Sequence, residues 1–286
     1  MILEETYTLS NGVQMPKLGL GTWMIEDDKV ANAIKAATDI GYRHIDTAQA
    51  YQNERGVGEG IHNSGVARSE LFVTTKLDAG IKDYDKAKAA IDGSLKTLGL
   101  DHIDLMIIHS PNPWQDFHGE DRYFEGNLAA WRALEKAYQA GKLRAIGVSN
   151  FQKEDIDNLL DNATVKPMVN QILAHISNTP FDLIDYLKSR DVLVQAYSPV
   201  GHGKILDNPQ IRAMADKYGV SIPQLAIRYV LQLGLVALPK TANPAHMANN
   251  ADVNFEISAA DMDTLKAIEP IKDYGDASMF PVYSKR

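Results

Sequence analysis

Eight short apolar runs, each followed by an amphipathic stretch, predict an α/β fold of (β/α)8 barrel type with an amino-terminal β-hairpin. Two further observations agree. The alternation continues without a Pro/Gly/Ser linker long enough to separate domains, so residues 1–286 read as one domain. Three successive apolar runs also stop at polar side chains able to do proton chemistry, which is how a barrel builds a site at its strand ends. A doubly wound open sheet is the alternative arrangement.

The chain opens with alternating runs at 6–9 and 13–15 joined by Ser10-Asn11-Gly12, and an Asn-Gly step between such runs signals a tight hairpin. From Lys17 the long alternation begins. Predicted strands are 18–21, 43–46, 71–76, 103–109, 144–149, 168–171, 193–197 and 235–238, rich in the β-branched and aliphatic residues that suit a strand buried on both faces. Predicted helices occupy 29–40, 84–98, 124–140, 155–160, 181–189 and 209–218, with an extra helical pattern at 223–233 before the last strand. Two segments break the repeat. Residues 110–123 carry two prolines, Trp114, Phe117 and His118 and are too irregular for a helix, while the tail, 270–286, has no clear period and either trails or folds over the barrel mouth.

Composition narrows the function. With 286 residues and 45% hydrophobic content the chain can bury a large core, and no run approaches the roughly 18 apolar residues of a membrane span. The start MILEETYTLS has neither the basic nor the apolar region of a signal peptide, so a cytoplasmic protein is expected. Zero cysteines exclude disulfides, a cysteine nucleophile and thiolate metal sites. A net charge of −8 without a basic stripe argues against nucleic-acid binding. No H-E-x-x-H or similar spacing appears, which disfavours a metal-dependent barrel hydrolase. No exposed apolar seam is apparent, and a monomer is expected.

Asp46, Lys76 and His109 end the second, third and fourth predicted strands, and Tyr51 lies on the loop leaving the second. A tyrosine needs help to trade protons near neutrality, and an adjacent ammonium such as Lys76 is expected to favour the phenolate and lower its pKa. Asp46 is the natural carboxylate to keep that lysine charged in a partly buried place. His109 can donate a hydrogen bond to a carbonyl oxygen on which charge develops. Taken singly, each residue is more often an ordinary ion pair or core side chain, and even the cluster has a structural reading.

The segments MPKLGLGTW, GYRHIDTAQAYQNERGVGEGI, LGLDHIDLMIIHSP, GKLRAIGVSNF and LPKTANPAHMANN together resemble the aldo-keto reductase family from about Met15 to Asn250. The resemblance implies reversible reduction of an aldehyde or ketone by a nicotinamide cofactor, with the hairpin closing the barrel bottom. It assigns Asp46, Tyr51, Lys76 and His109 as a catalytic tetrad in which Tyr51 protonates the substrate oxygen and His109 orients the carbonyl. By the same resemblance Ser149, Asn150 and Gln171 hold the carboxamide, the nicotinamide ring stacks on Tyr197, and Gly21, Thr22 and Trp23 line the entry beneath it. The run 198–203, with Ser198, Val200 and Gly201, lets backbone approach the pyrophosphate. The GVGEG at 56–60 is a weak dinucleotide-loop lookalike, better read as the start of a helix.

Lys240 and Thr241 match the family's 2′-phosphate positions and favour NADPH. Where relatives often carry a phosphate-clasping arginine this chain has His246, and Asn249 replaces a frequent glutamate while Asn250 keeps an amide near the adenine. Histidine is mostly neutral at pH 7 whereas arginine is always charged, so NADH is expected to work as well, with the NADPH preference widening toward acidic pH. Ser110 stands where many relatives have a large aromatic, leaving Trp23, Trp114 and Met279, Phe280 or Tyr283 of the tail as candidate substrate walls. The loop after Tyr197 reads as short, and an open, polar-tolerant pocket for small aldehydes, α-dicarbonyls or keto-sugars is expected. A cofactor-binding sensor or scaffold with little turnover is the alternative function, opposed by the intact tetrad.

Overall fold

The computed structural model describes residues 1–284. The hairpin pairs β1 (Thr6–Thr8) with β2 (Gln14–Pro16), and Tyr7 faces Met15 across it. Its Asn-Gly turn is closed by bonds from Leu9 N to the Val13 carbonyl and from Gly12 N to the Leu9 carbonyl, with Gly12 at φ 87°. The sheet that follows contains, among the described residues, eight parallel strands in strict chain order. They are β3 (Leu20–Gly21), β4 (His44–Asp46), β5 (Phe72–Leu77), β6 (Ile103–Ile108), β7 (Leu143–Ser149), β8 (Val169–Leu173), β9 (Leu193–Tyr197) and β10 (Val236–Leu238). Parallel bridges from Leu18 to Ala237 and from Gly21 to Lys240 bring the last strand back to the first. The expected barrel is the observed one, with strand limits shifted by a few residues.

Every residue of β5 and β6 is buried, as befits strands covered inside and out. Helices α1 (Val30–Ile40), α2 (Glu54–Asn63), α3 (Tyr84–Leu98), α4 (Phe124–Gln139), α5 (Lys153–Asn162), α6 (Phe181–Ser189), α7 (Pro209–Tyr218) and α8 (Ile222–Gln232) form the outer layer. Two short helices, α9 (Pro244–Ala251) and α10 (Ala259–Lys266), follow the last strand. The hairpin meets the amino ends of the strands: Asn11 Nδ2 donates to the Arg144 carbonyl at 2.9 Å, and the buried Met15 sulfur accepts from Gln195 Nε2 at 3.3 Å.

The glycines of GVGEG do lie in a helix, α2, which begins two residues earlier at Glu54, and they are there for packing. A Cβ on Gly56 would stand 2.0 Å from the Asp27 carbonyl oxygen, one on Gly60 2.9 Å from Ile34 Cβ, and one on Gly58 2.2 Å from the Leu98 carbonyl oxygen. Helix α2 is therefore wedged at backbone contact between α1 and the end of α3. On an exposed helix, glycine to alanine is worth about 1 kcal/mol of stabilisation. Gly58→Ala is expected to reverse that sign and destabilise by about 1–3 kcal/mol through overpacking, read as a lower urea midpoint at unchanged m-value.

Candidate active site

The carboxyl ends of the strands deliver the polar residues to one face. Asp46 ends β4, Lys76 lies one residue from the end of β5, His109 follows β6, Ser149 ends β7, Gln171 is in β8 and Tyr197 ends β9. At the centre is the fully buried ammonium of Lys76. Its Nζ donates to Asp46 Oδ1 at 2.5 Å, to the Thr47 carbonyl at 2.8 Å and to the Tyr51 hydroxyl at 3.1 Å, so all three protons are used. Asp46 Oδ2 in turn accepts from Gln171 Nε2 at 2.7 Å.

Beneath these residues lies a support that the sequence reading missed. Buried Asn53 accepts from Thr47 Oγ1 at 2.7 Å and donates to the carbonyls of Thr22 and Ile25 at 2.9 and 3.0 Å, tying the loop after β4 to the loop carrying Trp23. A single buried side chain thus fixes both the Thr47 carbonyl that meets Lys76 and the start of the Trp23 loop. The signal available in the sequence was an asparagine just before a helix, which reads as a cap; here Asn53 makes no side-chain cap bond at all.

Burial governs the titrations. Loss of water pushes Lys76 below its ordinary value, and the Asp46 carboxylate opposes that shift. Tyr51 is driven well above the ordinary phenol value, first by burial and then by the negative charge of Asp46. The expectation that the ammonium would pull Tyr51 down is thus reversed: desolvation of the phenolate outweighs the neighbouring lysine, and Tyr51 keeps its proton. His109 is driven well below the ordinary imidazole value by burial and by the Lys76 charge, so it is neutral with one N–H. Its Nδ1 is buried with no hydrogen-bond partner among the described residues. A neutral phenol and a neutral imidazole, with ring centroids 5.7 Å apart, are two hydrogen-bond donors beside one another.

The neighbouring strand ends are interlocked. Asn150, held at φ 61°, donates from Nδ2 to the His109 carbonyl at 3.1 Å and to Ser149 Oγ at 3.2 Å, while its Oδ1 accepts from the Tyr197 hydroxyl at 2.7 Å. Ser149 Oγ donates to the Gln171 carbonyl at 2.8 Å. A left-handed backbone on an asparagine is uncommon and tolerated best by this residue type. Here it aims both halves of the amide at the site.

A cavity of about 380 Å³ opens above this floor. Of the residues singled out from sequence, Gly21, Thr22, Trp23, Asp46, Tyr51, His109, Trp114, Ser149, Asn150, Gln171, Tyr197, Ser198 and Lys240 line it. Lys76 lies beneath, sealed by its three bonds. Val200, Gly201, Thr241, His246 and Asn250 stand outside the lining; His246 is exposed on α9, and Asn250 is buried on the same helix. The pocket is less open than expected. The tail folds over the mouth and contributes Phe280, Pro281, Val282 and Tyr283, and Trp114 sets its ring edge-on to His109 at 4.8 Å. The loop after Tyr197 also holds a stretch of helical turns at Gly201–Asp207 before α7.

The donor set fits a nicotinamide nucleotide. Gln171 Nε2 is occupied by Asp46 and by Gln195 Oε1 at 3.0 Å, and no hydrogen bond among the described residues uses its Oε1, which suits the N–H of a carboxamide. Lys240, exposed, is the one cation among the lining residues and suits a phosphate.

Residues 17–270 match the family profile described as the aldo/keto reductase family. The chain belongs to the aldo/keto reductase family. It is 44% identical over 268 residues to a glyoxal reductase of Bacillus subtilis, with 93% of each chain covered. It is 39% identical over 275 residues to a morphine 6-dehydrogenase of Pseudomonas putida, covering 91% of this chain and 90% of that one. A crystal structure of a Bombyx mori aldo-keto reductase in complex with NADP superposes with a TM-score of 0.86 at 34% identity, covering 98% of this chain and 99% of that one. The reductase therefore shares its barrel with the Bombyx mori structure and belongs with these proteins to a family of NAD(P)H-dependent oxidoreductases.

Removing Asp46 leaves the Lys76 ammonium buried without its counter-charge. Asp46→Ala is expected to destabilise the reductase by about 3–5 kcal/mol. The double variant Asp46→Ala/Lys76→Met should be less destabilised than the sum of the two single variants, as measured by a denaturant double-mutant cycle; strict additivity would refute the coupling.

Proposed function

We propose that the reductase converts small aldehydes, α-dicarbonyls and, less readily, keto-sugars to alcohols with NADPH, and that Tyr51 is the proton donor. The observation that carries this reading is the Lys76 ammonium joining the Asp46 carboxylate to a Tyr51 phenol that keeps its proton at the floor of the cavity. Bound NADPH supplies the hydride. Ser149, Asn150, Gln171 and Tyr197 would hold its carboxamide end and Lys240 a phosphate.

A substrate carbonyl oxygen seated near both Tyr51 and His109 meets two neutral donors, so negative charge developing on it is stabilised without a competing cation. Tyr51 then gives its proton to that oxygen. The Lys76 bond to the Tyr51 hydroxyl stabilises the phenolate left behind, and this is where the ammonium acts: not on the resting phenol, which burial keeps protonated, but on the state after transfer. The walls of Trp23, Trp114 and Phe280 and the tail above them exclude water and favour compact apolar carbonyls over polyhydroxylated ones, which narrows the substrate range read from the sequence.

Tyr51→Phe keeps the ring and removes the proton. It is expected to lower kcat for methylglyoxal by about 10²- to 10⁴-fold while NADPH still binds, as followed by nicotinamide absorbance and by fluorescence titration. Wild-type protein that binds NADPH tightly yet consumes it with no aldehyde, dicarbonyl or keto-sugar would favour the sensor reading instead. A second outcome concerns the cofactor. With Lys240 as the one cation among the residues lining the cavity, the ratio of kcat/KM for NADPH over NADH should exceed one and should fall in Lys240→Ala. A ratio unchanged in that variant removes Lys240 from the phosphate site.

A further inference from the structure

The tail is held at several places, and the last lies on the loop that carries Trp114. It fastens first to the segment following β8, where Ile271 N donates to the Ser177 carbonyl at 3.0 Å and the Tyr274 hydroxyl accepts from Asn178 Nδ2 at 2.7 Å and bonds His175 Nε2 at 2.8 Å. From there it crosses the mouth. Phe280 and Tyr283 come to rest against Trp23 at ring-centroid distances of 4.8 and 6.3 Å, and the Tyr283 hydroxyl bonds Ser198 Oγ at 2.6 Å. On the far side the exposed His118 meets the tail: Nε2 lies 3.0 Å from the Pro281 carbonyl oxygen and 2.9 Å from Ser284 Oγ, which itself donates to that carbonyl at 2.9 Å.

These contacts complete a circuit around the reacting position. His109 packs on Trp114 at 4.8 Å, Trp114 on Phe117 at 5.8 Å, and Phe117 on His118 at 5.0 Å. The tail returns the path through Trp23 to Tyr51 at 6.5 Å, and Tyr51 meets His109 at 5.7 Å. Apart from His118, every junction on this path is a ring contact or lies within one segment. The His118 bond is the junction on this path where two loops distant in sequence are joined by direction-specific donors and acceptors, and it closes the side of the mouth that the Tyr283–Ser198 bond does not reach.

We propose that His118 is a specificity-determining latch, whose Nε2–H donated to the Pro281 carbonyl holds the tail over the carbonyl pocket and so admits small carbonyls while refusing bulky ones. The proposal rests on the reductase reading above and adds to it the residue that sets the size limit. His118 acts through Phe117, Trp114 and the tail, and is a positioning residue, not one of the reacting groups. Its exposure means that its removal leaves no cavity, so the variant is expected to fold.

The test compares wild type, His118→Ala and His118→Asn in the full chain, with methylglyoxal and a two-ring aromatic ketone as substrates and with hydrogen exchange of residues 275–284 as a readout independent of turnover. In His118→Ala the KM for methylglyoxal should rise about fivefold to tenfold, the worth of a hydrogen bond or so, with kcat unchanged. The two-ring ketone should gain in kcat/KM, tail exchange should accelerate, and the amide of His118→Asn should restore part of each effect. Unchanged tail exchange in His118→Ala would overturn the latch whatever the turnover, and so would an equal fall in kcat for both substrates. Accelerated exchange in a protein that reduces no carbonyl would support the latch while sinking the reductase reading, so the two failures are distinguishable.

Discussion

A lysine ammonium with no exposure to water is a costly thing to place in a protein, and the arrangement of the reductase's mouth follows from satisfying it. Moving such an ion out of water costs several kcal/mol even after relaxation. Lys76 recovers that by giving each proton to an oxygen, and each oxygen comes from the β4 strand end or the loop just after it: Asp46 and the Thr47 carbonyl directly, and the Tyr51 hydroxyl by return of the loop. The register that pairs Asp46 with Thr74 and Lys76 with Ile107 puts β4, β5 and β6 in the stagger these bonds require. A slip of one residue would turn Lys76 to the other face of the sheet and leave Asp46 buried and unpaired.

The same bond explains why the chemistry and its control are separable. The floor is made of strand ends, whose positions are set by ladder hydrogen bonds on both sides, and Asn53 and Asn150 extend that rigidity one residue beyond the sheet. The roof is made of the tail and the loop after β6, which lie outside the strand ladder and are held over the mouth mainly by side-chain contacts. Charge stabilisation needs donors preorganised to a few tenths of an ångström, whereas refusing a bulky substrate needs only that a wall be present. A fold that puts the first on strands and the second on loops lets the walls change without disturbing the proton donor.

The difference in legibility between floor and roof has the same cause. Asp46, Lys76 and His109 could be placed side by side from sequence because each ends an apolar run, and the barrel rule converts chain order into spatial order. The hairpin was legible through Asn11-Gly12. A helix at GVGEG was legible too, but the purpose of its three glycines was not, because it shows only when the Asp27 and Leu98 carbonyls are found against them. Helices α9 and α10 span eight residues each, too few turns for periodicity to register, although Asn243-Pro244 and Ser258 are ordinary helix starts. For the tail the sequence left two courses open, trailing or folding over the mouth with Phe280 or Tyr283 as a wall, and it could not choose between them: these residues have no period, and a bond from His118 to a backbone carbonyl leaves no mark in the side chain of Pro281.

The direction of the Tyr51 shift shows how burial changes a conclusion drawn from neighbours alone. A lysine beside a tyrosine favours the phenolate if both are wet, but inside this site the same lysine is already committed to Asp46, and the pair as a whole presents little net charge to the phenol. What Tyr51 meets first is the absence of water, which penalises its ionised form, and next the carboxylate, which penalises it further. The phenol therefore keeps its proton in the resting site, and in the proposed reaction that proton would leave only when a carbonyl oxygen gaining negative charge offers a better place for it. On that proposal desolvation would couple the proton to the hydride: a transfer premature in the resting site would become favourable as charge appears on the substrate, and the Lys76 hydrogen bond would limit the cost of the phenolate that results.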